Sequence, residues 1–301
     1  MVSVVVVTAA SGNYLTDCLN SLQAQVSLPA EIVVIDNSLQ PEFTRRVSRD
    51  FPRVKFFPSP FNLYYAQGMN KGIELTKGEF VLCLNDDVVL DKMFIAEALK
   101  GFLIDPRIGA VSGKILRSDG TTLDSTGLFL SPFRTARERG YGRKDCGQYE
   151  KDGYIFGASG AAAFYRRKML EEIKKSGDYF DARFRMFYED LDLAWRAQRK
   201  NWRAYYIPTA LAYHARGGTA RLGGGIGKPR ARKYLSRPLH LDLVKNRYLA
   251  MRKNETLSGL LAHLPAIILY DFLAWAFILF FDRGFLAFSV GELRKSRPAK
   301  N

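Results

Sequence analysis

Cysteine is scarce in this chain. Cys18, Cys83 and Cys146 are odd in number and widely spaced, without the paired spacing of a zinc site or a disulfide framework. Reduced thiols in a cytoplasmic protein are the expectation. Also missing is a charged leader with a short apolar segment and a small-residue cleavage site: Met1 leads straight into Val2-Ser3-Val4-Val5-Val6-Val7-Thr8. Secretion is therefore not expected. A phosphate loop is lacking too, because in the glycine-containing stretch 223–229 Leu222 occupies the place of its first glycine and Pro229 follows Lys228 where Ser or Thr is required. Acidic residues are in deficit, 30 against 45 Lys and Arg, which leaves a net charge of +15. That excess calls for an anionic partner or surface.

What the chain has in quantity is apolar side chain. With 301 residues, 47% of them hydrophobic, it is long enough for one large domain, alone or with an appendage, and disorder is excluded. The run 80–88, Phe-Val-Leu-Cys-Leu-Asn-Asp-Asp-Val, reads as a strand buried on both faces whose acidic end emerges at the sheet edge. Asp86 and Asp87 there suit a divalent cation or a hydroxyl partner, or else a solvated loop start. If the strand stays extended, the two carboxylates point to opposite faces.

Residues 2–8 form a first buried strand, Leu15, Cys18, Leu19 and Leu22 fall at helical spacing, and residues 30–36 make a second strand. The unit is βαβ, with a right-handed crossover expected. Asp36, at the carboxyl end of the second strand, is placed to accept from a nucleobase or ribose, or to cap the helix after Pro41. Strands are expected at 54–57 and 108–116, helices at 62–76 and 92–105, and strand-like pieces at 202–207 and 210–214. Residues 134–144 read as a mobile loop, and the small side chains of 157–163 suit either tight packing or a pocket floor.

Glu189, Asp190 and Asp192 open a helix. They either complement its dipole or place a carboxylate at the mouth of an aromatic pocket, behind Phe187 and Tyr188, with a raised pKa. His214 ends a strand ahead of a flexible loop, as a structural residue or as a metal ligand.

The positive charge is local. From Arg216 to Lys253, eleven Lys or Arg stand against Asp242 alone, just before the most hydrophobic segment, 257–281. That pairing favours an anionic membrane surface over nucleic acid, and nucleic acid is not expected as a partner. The segment is long enough to span a bilayer. Asp271, and basic residues on both flanks, argue instead for helices lying in or dipping into the cytoplasmic leaflet, or for a helix packed on the domain or in a dimer interface.

Taken in order, the opening Val-Val-Val-Val-Thr, Ile35-Asp36-Asn37-Ser38, the stretch 62–72, Leu84-Asn85-Asp86-Asp87-Val88, Phe187-Tyr188-Glu189-Asp190-Leu191-Asp192-Leu193 and His214 resemble family 2 inverting glycosyltransferases of the GT-A fold. The resemblance covers about residues 2–219 and is strongest to the bacterial branch with rhamnosyltransferases for surface polysaccharides. It implies an α/β fold, a Rossmann-like and mostly parallel central sheet flanked by helices, with a C-terminal hydrophobic helical appendage. The implied division is a catalytic domain at 1–220 (donor half about 1–118, acceptor half about 119–220), a basic lid and linker at 221–256, and a membrane-associating tail at 257–301.

The implied donor is a dTDP- or UDP-sugar, dTDP-rhamnose included, held by Thr8, Asp36, Asn62, Gly68, Asn70 and Asp86. Asp87 and His214 would hold Mg²⁺ or Mn²⁺ on the diphosphate. Asp190, with Glu189 as runner-up, would be the base that activates a hydroxyl of a glycan or polyprenyl-linked acceptor for inverting transfer. Tyr64 stands where a glycine is common in the family, and Asn85 where Asp is. Two other readings remain: a basic nucleic-acid or anionic-lipid binding protein without catalysis, and a nucleotidyltransferase.

Overall fold

The computed structural model describes residues 1–9, 13–216 and 236–295, with side chains to 289. The chain opens with β1 (Val2–Thr8), α1 (Tyr14–Gln23), β2 (Glu31–Asp36), α2 (Pro41–Asp50), β3 (Lys55–Pro58), α3 (Tyr64–Glu74) and β4 (Phe80–Asn85). After these come β5 (Val88–Leu90), α4 (Phe94–Ile104), β6 (Ile108–Arg117) and β7 (Leu123–Ser125). Then β8 (Leu128–Leu130) and β9 (Ala136–Glu138) form a hairpin, followed by β10 (Gly153–Ile155), β11 (Ala162–Arg166), α5 (Arg167–Ile173), α6 (Glu189–Arg199) and β12 (Arg203–His214). Three helices finish the chain, α7 (Arg237–Asn254), α8 (Leu257–Phe281) and α9 (Arg283–Lys295).

The main sheet runs β10-β12-β6-β11-β4-β1-β2-β3. β3, β2, β1 and β4 are mutually parallel, as are β12 and β6, whereas β11 lies antiparallel between β4 and β6. Alternation along β1 and β4 explains their apolar runs: Val4, Val6, Leu82 and Leu84 enter the core on one side of the sheet, and Val5, Val81 and Cys83 enter the core on the other. Cys18 and Cys83 are buried free thiols and Cys146 is an exposed one.

α3 lies close on β1 through small residues. A Cβ on Gly72 would sit 2.1 Å from Val5 Cγ1, so glycine there sets the helix–strand distance. Gly72→Ala is expected to cost about 1–3 kcal/mol, read as a lower urea midpoint at unchanged m-value. An unshifted midpoint would show that α3 can move off β1 freely.

Three segments depart from the sequence reading. The pieces at 202–207 and 210–214 are one strand, β12, with a register shift between Ile207 and Leu211. The basic loop at 134–144 contains β9, and its Arg139 donates to Thr126 Oγ1 and Thr126 O at 2.9 and 3.0 Å. Of the lid and linker at 221–256, residues up to 235 lie outside the described residues. The remainder is not a linker but the 18-residue α7, with Asn246, Arg247 and Asn254 buried. α8 is a single helix through His263, Pro265 and Asp271.

Candidate active site

Three strand ends make one rim. In register, Thr8 pairs with Asp36 and Val7 with Asn85, so Asp36 and the acidic end of β4 stand level with Thr8 at the carboxyl edge of the parallel strands, where open α/β sheets bind ligands. Thr8 is buried and its hydroxyl donates to Asp86 Oδ2 at 2.6 Å. Asp36 accepts from Ser38 N at 2.7 Å and from the Thr44 hydroxyl of α2, so it holds that helix by a side chain without capping it, the N-cap being Gln40.

Asn62 turns the chain into α3, its Oδ1 accepting from Tyr64 N at 2.7 Å. Tyr64 takes a left-handed φ of 53°, a conformation that costs a non-glycine residue about 1–2 kcal/mol and accounts for the glycine expected there. The Asn37 amide ties this loop to the rim, through Tyr64 O at 3.2 Å and Leu63 N at 3.1 Å.

Gly68 and Asn70, both expected at the nucleotide sugar, are given to packing instead. A Cβ on Gly68 would meet Val7 Cγ2 at 2.9 Å, and the buried Asn70 amide exchanges two hydrogen bonds with the backbone of Phe180 at 2.7 and 2.8 Å. Both polar ends of Asn70 are thus committed to joining the two halves of the chain.

β4 ends at Asn85, and Asp86 and Asp87 form a turn rather than extended strand. The carboxylates still diverge, for a reason different from strand alternation. Asp86 turns to Thr8 on β1, whereas Asp87 Oδ1 lies 3.1 Å from His214 Nε2 at the end of β12, and β1 and β12 stand on opposite sides of β4 in the sheet. His214 Nδ1 meets Asp124 Oδ2 at 2.8 Å, and Asp124 Oδ1 accepts from Arg216 Nε. Burial alone would lower the His214 pKa, but hydrogen bonds and charge from Asp124 and Asp87 outweigh it and push it up to about 9. Asp124 was not singled out from the sequence; its one signal is an acidic residue inside the short run Leu123-Asp124-Ser125.

This donor set fits a divalent cation in part. A carboxylate and an imidazole converge, and the imidazole is oriented from behind by a second carboxylate, an arrangement common behind metal-bound histidines. Among the described residues no three His, Cys, Asp or Glu side chains gather around one position, so a cation held by Asp87 and His214 would need further oxygen ligands from outside this pair.

The second acidic cluster opens α6 behind two left-handed residues, Phe187 (φ 69°) and Tyr188 (φ 72°), each costing about 1–3 kcal/mol. Asp190 accepts from Leu191 N at 2.7 Å and from Gly160 N at 3.1 Å. Gly160 belongs to the small-residue stretch, where the close contacts are of packing: Gly157 packs against Ala194, and Gly160 leaves room for the Asp190 carboxyl, whose Oδ2 would be 3.1 Å from a Cβ there.

Burial raises the Asp190 pKa, and the backbone N–H groups oppose it. Glu189 is held well above the usual carboxylate range by burial and then by the Asp190 charge, and its Oε2 has no hydrogen-bond partner among the described residues. Two such neighbours do not both ionise, and Asp190, with two N–H donors, is the one equipped to carry the charge. Asp192, by contrast, is structural, fully buried between Arg196, Lys253 and Asn254.

A third carboxyl, Glu138 of β9, was missed from the sequence. Ser125 and Ser159 donate to it, and burial, then the Asp190 charge, push its pKa up to about 7. The site therefore combines carboxylate acceptors at one set of strand ends with a cluster of carboxyls around α6 whose pKa values are raised, and a raised pKa suits a carboxylate to proton uptake.

Residues 3–174 match the family described as glycosyl transferase family 2. The N-acetylglucosaminyl-diphospho-decaprenol L-rhamnosyltransferase of Mycobacterium tuberculosis is 26% identical over 236 residues, which cover 70% of this chain and 75% of that protein. Among solved structures, GalNAc-T7 with UDP, GalNAc and Mn²⁺ aligns with TM-score 0.60 at 15% identity, over 84% of this chain and 47% of the other. TarS residues 1–349 of S. aureus, in complex with UDP-GlcNAc, aligns with TM-score 0.56 at 18% identity, over 85% and 67%. Those likenesses are of fold, a mixed sheet with parallel central strands between helices. The family match takes in β1, β2, α3, β4 and β11, the elements that carry the rim and the Asp190 floor, and extends over more than half of the chain, so this protein is a glycosyltransferase and belongs to glycosyl transferase family 2.

Proposed function

We propose that the chain transfers a sugar, with inversion, from a dTDP- or UDP-sugar to a hydroxyl of a glycan or polyprenyl-linked acceptor, at the cytoplasmic face of a membrane and in the building of cell-surface polysaccharide. Thr8, Asp36, Asn62 and Asp86 bind the nucleotide along the rim, Asp87 and His214 hold Mg²⁺ or Mn²⁺, and Asp190 takes the acceptor proton. The observation that carries this reading is the contrast between Asp190, held by two backbone N–H groups at the start of α6, and the Asp87–His214–Asp124 series at the strand ends. The first can receive a proton as a C–O bond forms; the second can hold a cation. A bound cation would supply charge neutralisation for the departing diphosphate. The name of the mycobacterial relative supports rhamnose as the sugar and a lipid-linked diphosphosaccharide as the acceptor.

A panel of dTDP-rhamnose, UDP-GlcNAc, UDP-glucose and UDP-galactose, scored by thermal shift with and without Mn²⁺, tests the donor. A metal-dependent shift with one of them is expected. No shift with any, together with tight salt-sensitive DNA binding, would remove the enzymatic reading.

The membrane surface rests on α8. Within its 25 residues an 18-residue stretch reaches a mean hydropathy of 2.1, and Leu261, Ile268, Phe272, Leu273, Leu279 and Phe280 are exposed. Asp271 pairs with Arg247, so the exposed side chains of α8 from Leu264 to Phe281 are mainly apolar. The triple variant Phe272→Gln, Leu273→Gln, Phe280→Gln is expected to lose flotation with vesicles containing phosphatidylglycerol. Unchanged flotation counts against the membrane reading.

A further inference from the structure

α7 does more than connect the catalytic domain to the apolar tail. It lies along the segment that leads into α6 and touches it at successive turns. Asn246, fully buried, donates through Nδ2 to Met186 O and to Phe187 O, each at 2.9 Å. One turn on, Ala250 packs with Phe184, Tyr188 and Leu191. At the end of α7, Lys253 Nζ reaches Asp181 at 2.5 Å and Asp192 at 2.7 Å, and Asn254 donates to Asp192 Oδ1 at 2.8 Å. The spacing 246, 250, 253 and 254 puts these residues on one helix face.

Asn246 is a costly choice for that place if stability alone mattered. Its Oδ1 is buried without a hydrogen-bond partner among the described residues, a penalty a leucine of similar volume would not incur. What the amide provides is a pair of hydrogen bonds to two consecutive carbonyls just before and within the left-handed pair Phe187-Tyr188. Two non-glycine residues in that conformation persist only where the surroundings hold them, and the turn they make delivers Glu189 and Asp190 to the start of α6.

The next residue, Arg247, extends the clamp. Its guanidinium donates to Phe133 O at 3.2 and 2.7 Å, in the turn of the β8–β9 hairpin that carries Glu138, and pairs with Asp271 of α8 at 2.5 Å. Adjacent positions on α7 thus grip the turn ahead of Asp190 and the hairpin that places Glu138.

We propose that Asn246 is a positioning residue for Asp190, fixing the left-handed turn that aims the carboxylate at the acceptor. The inference rests on the reading of Asp190 as the base. Asn246 acts on the acceptor side alone, so its loss separates turnover from donor binding.

The test compares Asn246→Leu, which keeps the volume and removes both donors, with Asn246→Ser, which keeps one donor, and with Asp190→Asn, in the full chain. Turnover is read with dTDP-rhamnose and N-acetylglucosaminyl-diphospho-decaprenol, and nucleotide binding with dTDP and UDP in Mn²⁺ by calorimetry. Asn246→Leu should bind nucleotide at one site per chain with Kd within twofold of wild type, while kcat falls at least about 30-fold and amide exchange quickens at 186–192 but not in β1 or β4. Asn246→Ser should lie between it and wild type. Wild-type kcat in Asn246→Leu overturns the proposal, and so does a fall in kcat matched by an equal loss of binding sites. If Asn246→Leu does not fold, the proposal stands or falls on a reduced kcat at full nucleotide stoichiometry in Asn246→Ser. Full turnover in Asp190→Asn sinks the base reading itself, whereas an inactive Asp190→Asn beside a fully active Asn246→Leu sinks only the positioning role.

Discussion

Asp190→Asn is expected to lower kcat by about 10²- to 10⁴-fold, the range that general-base groups contribute, while nucleotide binding in Mn²⁺ stays within twofold. The amide keeps the shape of the carboxyl, and its single oxygen can still accept from Leu191 N or from Gly160 N, so the fold should hold at the cost of one hydrogen bond and the main loss should be one of proton uptake. Glu189→Gln is the companion measurement. Burial and the Asp190 charge raise the Glu189 pKa and favour its neutral form, so replacing it with a neutral amide should leave most of the turnover. If Glu189→Gln were the dead variant and Asp190→Asn the live one, the two roles would have to be exchanged. The raised Asp190 pKa also places the acid limb of the kcat profile above the ordinary carboxylate range.

The second large effect is expected from Asp87→Asn. Its carboxylate and His214 Nε2 are the two groups the chain offers to a cation, and an outer partner alone is worth roughly 10- to 100-fold in metal affinity, so losing a direct ligand should cost at least that. Calorimetry of UDP binding should show the weakening in Mn²⁺ and no change in EDTA. The pH dependence has a definite sign. His214 titrates near 9 without metal, and below that pH a cation reaches Nε2 only by releasing a proton, so Mn²⁺-dependent affinity should climb as pH rises toward about 9. Affinity flat between pH 6 and 9 would falsify ligation by His214. Asp124→Asn should move this dependence downward, because it removes one of the two charges that keep the imidazole protonated.

The parts of this fold that could be read from the sequence are those whose physics is local. Residues 2–8, 30–36 and 80–85 are apolar on both faces because helices cover both faces of the sheet, and that burial shows as unbroken runs of Val, Ile and Leu. The acidic end of β4 and the start of α6 were visible because carboxylates interrupt such runs. What escaped was set by distant pairing. Nothing near Asn70 announces a clamp on Phe180, nothing near Glu138 announces Asp190, and Asp124 gains its meaning from His214 ninety positions on. The helix α7, in place of the linker that the resemblance implies, escapes the sequence because its buried face is polar: Asn246 Nδ2, Arg247 and Asn254 donate to carbonyls and carboxylates of other elements. Polar residues buried by partners far along the chain leave no periodic apolar signal.

The antiparallel strand β11 bears on how the protein is made. β4 and β6 do not pair with each other; Ala162–Arg166 pairs with both and is, among the described residues, the only seam between the two parts of the main sheet. On the ribosome, β1 to β4 and then β6 emerge with facing edges open, and neither edge is closed until about eighty residues beyond β4 have been synthesised. Unpaired edges of Phe80–Asn85 and Ile108–Arg117 are aggregation-prone templates during that interval. A proline at Ala163, where β11 meets both neighbours, should thus depress soluble yield far more than it depresses the melting temperature of whatever chain survives, because the damage falls on assembly before there is a native state to destabilise.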